Sequence, residues 1–356
     1  TTDLTLEIGN SDNSSGSNTG SSGGQTNTGS PPGTFTTQAA DLTVISADAV
    51  DITSGTTITS TGGKFSFAEG IKINGAAISL QDTTLAVGSS LTKTGGTLTL
   101  NQADLELISD LTLSSDTDLE FTQLKLENYH LDLQTVPSFT VDQELVLDNA
   151  NEKLTWSDNT DLTLSGGVQL DSNGSLSWKK PDNLDIGDIT LNGGSLTIGD
   201  TSAQTFDLNS GIVLQANSTM NFKSGSTLNY SGPALAVVKE LTLQGTGQMQ
   251  NTNSLNLSGA NGKLNLSGIS LANVVTSADN SGLSIDNSST VTDFNASNLT
   301  PVSIASGKNL SGNITINAGG IVQLNDAGTL AASSSLKGGT LIVNQSSTVS
   351  GAVSIA

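Results

Sequence analysis

The side chains with the most chemistry in this sequence are few and scattered. Its one histidine, His130, stands beside Tyr129 in the run LENYHLDL. A histidine acts as a general base when a nucleophile and an orienting acid surround it. No Ser-His-Asp arrangement is readable around His130, so a structural role is expected. One His and no Cys leave out the usual ligands of a histidine- or thiolate-based metal centre. Asp148 and Asp171 lie one repeat apart, and glycoside hydrolases hold two carboxylates about 5–9.5 Å from each other. Both stand where a strand gives way to a turn, a place Asp takes for backbone reasons. Asp148, Asn149, Asn151 and Glu152 form one oxygen-rich cluster, and Asp158, Asn159 and Asp161 form another. Oxygen-rich loops hold calcium, but neither cluster has the EF-hand pattern and no GGxGxD repeat occurs. Solvated turns, with at most weak surface calcium binding, are expected there. Trp156, Trp178, Phe222 and Tyr230 could stack against sugar rings or fill a core. No catalytic, cofactor or metal residue is assigned, and the chain is not expected to be an enzyme.

These groups hang on a uniform framework. From about Thr36 onward, short triplets recur, such as Leu98-Thr99-Leu100, Leu145-Val146-Leu147 and Leu241-Thr242-Leu243, separated by Gly, Asn, Asp and Ser. Alternation of period two means strand, and the separating residues are turn formers. No useful length follows the helical period of 3.6. A longer repeat overlies the triplets. Triplets beginning at Leu154, Leu176, Leu196, Met220, Leu241 and Leu264 are 22, 20, 24, 21 and 23 residues apart. A second series runs Leu162, Leu184, Phe206 and Leu228; a third runs Leu145, Val168, Ile189, Ile212, Leu235 and Leu255. LVLDNANEKLTW (Leu145 to Trp156) returns as VQLDSNGSLSW, ITLNGGSLTI and IVLQANSTMNF, ending at Trp178, Ile198 and Phe222. Three interleaved series with one period describe a coil with three faces. The expected fold is all-β, a right-handed parallel β-helix (β-solenoid) of about three short strands per coil of about 22 residues, giving about 14 coils. Trp156, Trp178, Ile198 and Phe222 then form one inward column, so the aromatics read as core. Thr155, Ser177, Thr197, Asn221, Thr242 and Asn265 form an outward column, too mixed for an ice-binding array.

Composition fits a polar, coil-by-coil fold. Only 34% of residues are hydrophobic and 3% aromatic, less than a compact globule of this length carries. Thirty-three acidic residues against twelve lysines, with no arginine, give a formal charge of −21. That balance excludes nucleic-acid binding, which needs basic density for phosphates. No stretch reaches the roughly 18 apolar residues of a membrane span, so this segment is not expected to insert in a bilayer. Residues 9–35 are almost wholly Gly, Ser, Asn, Thr, Asp, Gln and Pro, the composition of a flexible linker. Residues 1–8 carry one strand's worth of alternation (Leu4, Leu6, Ile8), isolated from the rest, which would add to a sheet edge or belong to a preceding domain. Residues 36–356 are assigned to the solenoid. The opening at Thr1, with no signal peptide, and the stop in mid-pattern at Ala356 suggest a mature product or a fragment. The numerous sequons, Asn217-Ser218-Thr219 among them, arise by chance in so Asn- and Ser-rich a chain.

The phrases LTKTGGTLTL (Leu91 to Leu100), LTLSGGVQL (Leu162 to Leu170) and LKGGTLIV (Leu336 to Val343) resemble the repeats of bacterial autotransporter passengers and filamentous haemagglutinin-type adhesins. The resemblance covers most of Thr36 to Ala356, without an NPNG-type secretion domain or a translocator barrel. It implies a secreted right-handed β-helix at the bacterial cell surface, an adhesin or stalk meeting a host-cell, glycan or neighbouring-cell component. A self-associating subunit of a surface layer, sheath or filament is the alternative. A polysaccharide-acting β-helix enzyme is a further one, although lyases of that group use an arginine base and this chain has none.

Overall fold

The computed structural model describes residues 5–9, 34–38, 41–45, 48–157, 159–179, 184–200, 203–344 and 346–355. The linker expected at 9–35 lies almost wholly outside them, as do Asp158 and Ala356. Among the described residues there are 44 strands and no helix. Their sheets are parallel and stack turn upon turn as a β-solenoid of about 15 turns, roughly 20 residues each. The chain divides into two compact units, Thr1–Gly167 with Pro181–Ile186, and Val168–Lys180 with Gly187–Ala356.

The first unit shows why one turn cannot stand alone. Leu42, Phe65, Leu85, Leu105 and Leu124 stand opposite one another in five successive turns, and none is more than 4% exposed. Parallel in-register pairing puts like beside like, so each inward residue is covered by its counterparts above and below. Burying such a side chain contributes roughly 1.5–3 kcal/mol. The expected short triplets are not separate everywhere. Thr84–Thr94 and Asp104–Ser115 run 11 and 12 residues around a corner as single strands. The bend falls at Ser89, with φ of 55°, beside Gly88, where a Cβ would lie 2.3 Å from the Ala68 carbonyl oxygen. Turns pack backbone to backbone there, and only glycine fits.

The amino-terminal strand Thr5–Gly9 pairs antiparallel with Asp41–Ile45, Leu6 opposite Val44. It adds to the edge of a ten-stranded sheet, and no other described pairing of strands runs antiparallel.

In the second unit the nine-stranded sheet carries the column Leu176, Leu196, Met220, Leu243, Leu266, Ile285 and Ile304. Here the structure corrects the register expected from the repeat. Met220 stands opposite Leu243, and Leu241 opposite Ser218. Leu241 and Leu243 are both fully buried, so a slip of two residues preserves the inward pattern and leaves no trace in it. Trp178, Ile198 and Phe222 do share one inward column.

One interior position departs from the aliphatic pattern. Ile52, Ile73, Lys93 and Ser115 form a column, and Lys93 is only 2% exposed. Its Nζ lies 2.5 Å from Asp116 Oδ1, and Asp116 Oδ2 accepts the Gly95 N–H at 2.6 Å. The lysine's hydrogen bond, with the Gly95 amide behind it, holds the Asp116 carboxyl below its ordinary value. A carboxyl lowered by folding stabilises the fold above its unfolded value, and that contribution is lost as pH falls through the lowered one.

Two outcomes follow for stability. Leu105→Ala removes a fully buried member of a five-turn column and lowers unfolding free energy by about 2–5 kcal/mol in denaturant titration. Asp116→Asn leaves a buried lysine without its counter-charge and lowers the thermal midpoint at neutral pH by several degrees. Adding Lys93→Met recovers the loss, because an apolar chain of similar length needs no partner; recovery is checked by calorimetry across pH 2–7.

Candidate functional site

The lone histidine sits at the start of the strand His130–Thr135, half-buried. Its Nε2 lies 2.8 Å from Thr155 Oγ1 on the next turn, and Thr155 Oγ1 donates to Asp132 Oδ1 at 2.7 Å. The His130 backbone N–H donates to Asp110 Oδ1 at 2.9 Å. The hydroxyl proton of Thr155 goes to a carboxylate that only accepts, so Thr155 accepts from His130 and Nε2 carries the hydrogen. The order is imidazole, hydroxyl, carboxylate. In a nucleophilic relay the imidazole stands in the middle, and here Thr155 does. Thr155 is the member that sequence reasoning missed as a partner, since it is 25 residues away. The signal available was the register itself, which places Asp132 opposite Thr155.

Just before His130 the chain turns through Glu127 and Asn128, with φ of 51° and 74°, and the Tyr129 N–H closes on the Leu126 carbonyl at 2.9 Å. Two consecutive non-glycine residues in the left-handed region persist only where neighbours hold them. The holder is Glu152, 5% exposed. Its Oε1 accepts the Asn128 N–H at 3.1 Å, and its Oε2 accepts the N–H groups of Asp148 at 2.8 Å and Asn149 at 3.1 Å. The oxygen-rich cluster considered for calcium thus spends its buried carboxylate on three backbone donors, an arrangement that gathers N–H groups around an anion. Asp148 receives the Asn149 side-chain amide at 2.9 Å. Asp158 of the second cluster lies outside the described residues, and Asp161 has an interaction of its own. Among the described residues no group of three or more His, Cys, Asp or Glu side chains converges to hold a metal.

The other candidates take their places along the turns. Asp171 accepts Gln169 Nε2 at 3.2 Å and Asn192 Nδ2, one turn on, at 2.6 Å. Trp178 and Phe222 are 2% exposed and Tyr230 1%, inside the core. Trp178 meets Phe206 edge-to-face with ring centroids 5.4 Å apart. Tyr230 Oη donates to the Pro233 carbonyl, and burial, with the nearby Asp188 charge, pushes its hydroxyl above the ordinary tyrosine value. Trp156 is half-buried, opposite Leu133, with Nε1 buried and without a hydrogen-bond partner among the described residues. The outward array splits into two columns: Ser177, Thr197, Asn221 and Gln244 in one, and Thr219, Thr242, Asn265 and Ser284 in the other. The two-residue slip at Met220 is again the reason.

Bonds between polar groups one turn apart recur throughout. Asn229 Nδ2 donates to Asp207 at 2.7 Å, Gln244 Nε2 to Asn221 at 2.5 Å, and Asn287 Nδ2 to Ser267 at 2.7 Å. Asn251 and Asn273 each donate Nδ2 to the other's backbone carbonyl, at 3.1 and 2.8 Å.

No family model, curated protein or solved structure matches this chain.

Glu152→Gln turns an amide N–H₂ toward backbone donors that need an acceptor. Unfolding free energy should fall by about 1–3 kcal/mol, and proteolysis should become faster at the Glu127–Asn128 turn. Unchanged denaturation and cleavage would show that Glu152 does not hold that turn.

Proposed function

We propose that the chain is a non-catalytic β-solenoid displayed outside the cell, at a bacterial surface, as an adhesin or stalk segment. The observation that carries the reading is the commitment of outward polar side chains to their neighbours one turn away. Asp171, Asp207 and Asp132 each receive a donor from the following turn, and Glu152 clamps two successive turns. Groups used in this way resist separation of the turns, as a stalk under tension requires. An acidic, arginine-free surface keeps such a repeat soluble.

The self-assembling alternative has an observation of its own. Thr5–Gly9 joins the sheet as an added antiparallel strand, a recurring mode of joining one chain to another. Val343, Val353 and Ile355 are 45%, 49% and 85% exposed in the last described strands, apolar surface that suits sheet extension.

Three measurements on the purified chain separate the readings. The adhesin reading expects retention on cells or glycan-coated surfaces, a particle mass independent of concentration, and intact glycans after incubation. Mass growing with concentration in light scattering would favour the assembly reading. Shortening of any polysaccharide in a panel would overturn the non-catalytic reading.

A further inference from the structure

We infer that the first unit carries a subsite for a single ring of a neutral sugar, in a surface hollow of about 190 Å³ lined by Asp51, Lys72, Ile73, Asn74, Thr92 and Thr94. The inference rests on the adhesin reading and gives it a ligand class and a location.

The hollow is built by the same register as the core beneath it. In the strands Val50–Thr53, Ile71–Asn74 and Thr84–Thr94, Asp51 stands opposite Lys72 and Lys72 opposite Thr92, while Asn74 stands opposite Thr94. Ile73 points inward at 2% exposure, so its neighbours on either side point out. The result is a grid with rungs about 4.8 Å apart and columns about 6.6 Å apart. The strand ends beside the grid turn at Gly75 and Gly95, with φ of 75° and 66°. At Gly96 a Cβ would lie 2.1 Å from the Ala76 carbonyl oxygen. That corner turns on glycines, with the Ser54 side chain against Gly75 and the Asp116 carboxylate on the Gly95 N–H.

Unlike Asp132, Asp171 and Asp207, these polar groups have no described side-chain partner one turn away. Among the described residues the ion pairs are Lys64–Glu106 and Lys93–Asp116; Asp51 and Lys72 form none, although they are register neighbours. Among the described residues no side-chain hydrogen bond engages Asp51, Lys72, Asn74, Thr92 or Thr94. Donors and acceptors therefore surround a shallow hollow with their capacity open, and placed polar groups of this kind fix a ligand's orientation.

Hydrogen-bond chemistry selects the ligand. Asp51 only accepts, Lys72 only donates, and the threonines and Asn74 do both. A carboxylate or phosphate satisfies Lys72 and is repelled by Asp51; an amine does the reverse. A hydroxyl donates and accepts, so a polyol pairs with every member. The net charge of −21 further disfavours a polyanion. A zwitterion satisfies the two charges and leaves both threonine hydroxyls and the Asn74 amide to water. The volume lies below the roughly 300–1,000 Å³ of a drug-sized pocket, room for one ring with its substituents against these side chains.

The test uses the full chain on surfaces bearing manno-, gluco- or galacto-oligosaccharides, or polygalacturonate, with free alanine as a zwitterionic competitor. Adhesion to whole cells is measured alongside. Retention on at least one neutral oligosaccharide is expected, weakened at least tenfold by Asp51→Asn and by Lys72→Met. Thr242→Ala, an outward residue of the second unit, should bind as the unaltered chain does. All three positions are on the outer face, and unchanged thermal midpoints certify folding; Thr92→Val supplies a further variant of the hollow. The subsite is overturned by equal binding of the altered and unaltered chains, by retention on polygalacturonate alone, by displacement with alanine, or by retention on no neutral sugar. Cell adhesion that persists in any of these cases leaves the adhesin reading standing without the hollow. Loss of both sinks both.

Discussion

Each turn of this protein is held by main-chain hydrogen bonds to the turn before and the turn after, in parallel and in register. The rest of the structure depends on that constraint. Because the pairing is in register, a residue meets its own kind one turn away, and a column such as Leu42, Phe65, Leu85, Leu105 and Leu124 forms without any single turn enclosing a core. A modest apolar fraction then suffices, since few inward side chains per turn need cover. The corners follow as well. Where turns stack backbone on backbone, as at Gly88 against Ala68, a side chain has no room.

The same register governs the polar surface. It brings Asn229 to Asp207, Asn192 to Asp171 and Thr155 to Asp132, each about one turn away in sequence. Residues that look in one dimension like candidates for catalysis or calcium become ties between turns. Glu152 is the clearest case: its carboxylate supports a left-handed turn in the preceding coil and caps its own. Over Asp51, Lys72 and Asn74, among the described residues, no such ties are made.

Much of the architecture was legible in the chain, and less of the candidate site. The strands, their alternation and a period of about 22 residues could be read from the Leu-x-Leu triplets and their turn formers, against roughly 20 residues per turn in the structure. The place of Trp178 and Phe222 in an inward column followed from the repeat. His130 stood out as the lone histidine, but its partners did not, because Asp110 and Thr155 lie 20 and 25 residues away and meet it only through pairing. Lys93 stands at inward parity two residues after Leu91, but the partner that lets a lysine be buried there, Asp116, lies 23 residues away and meets it only through pairing.

What the sequence determined by itself is parity: which residues of each strand face in and which face out. That follows from the two-residue repeat of an extended backbone, a local property. Only the tertiary structure decided register, meaning which turn's residue faces which. Met220 meets Leu243 rather than Leu241, and the local pattern is blind to a shift of two because both alternatives are leucine facing inward. Register is set by the backbone length each corner consumes and by the turns already stacked, and these are non-local. Everything that depends on neighbours one turn apart was therefore decided there: the buried Lys93–Asp116 pair, the clasp of Glu152, and the open grid of Asp51, Lys72 and Asn74.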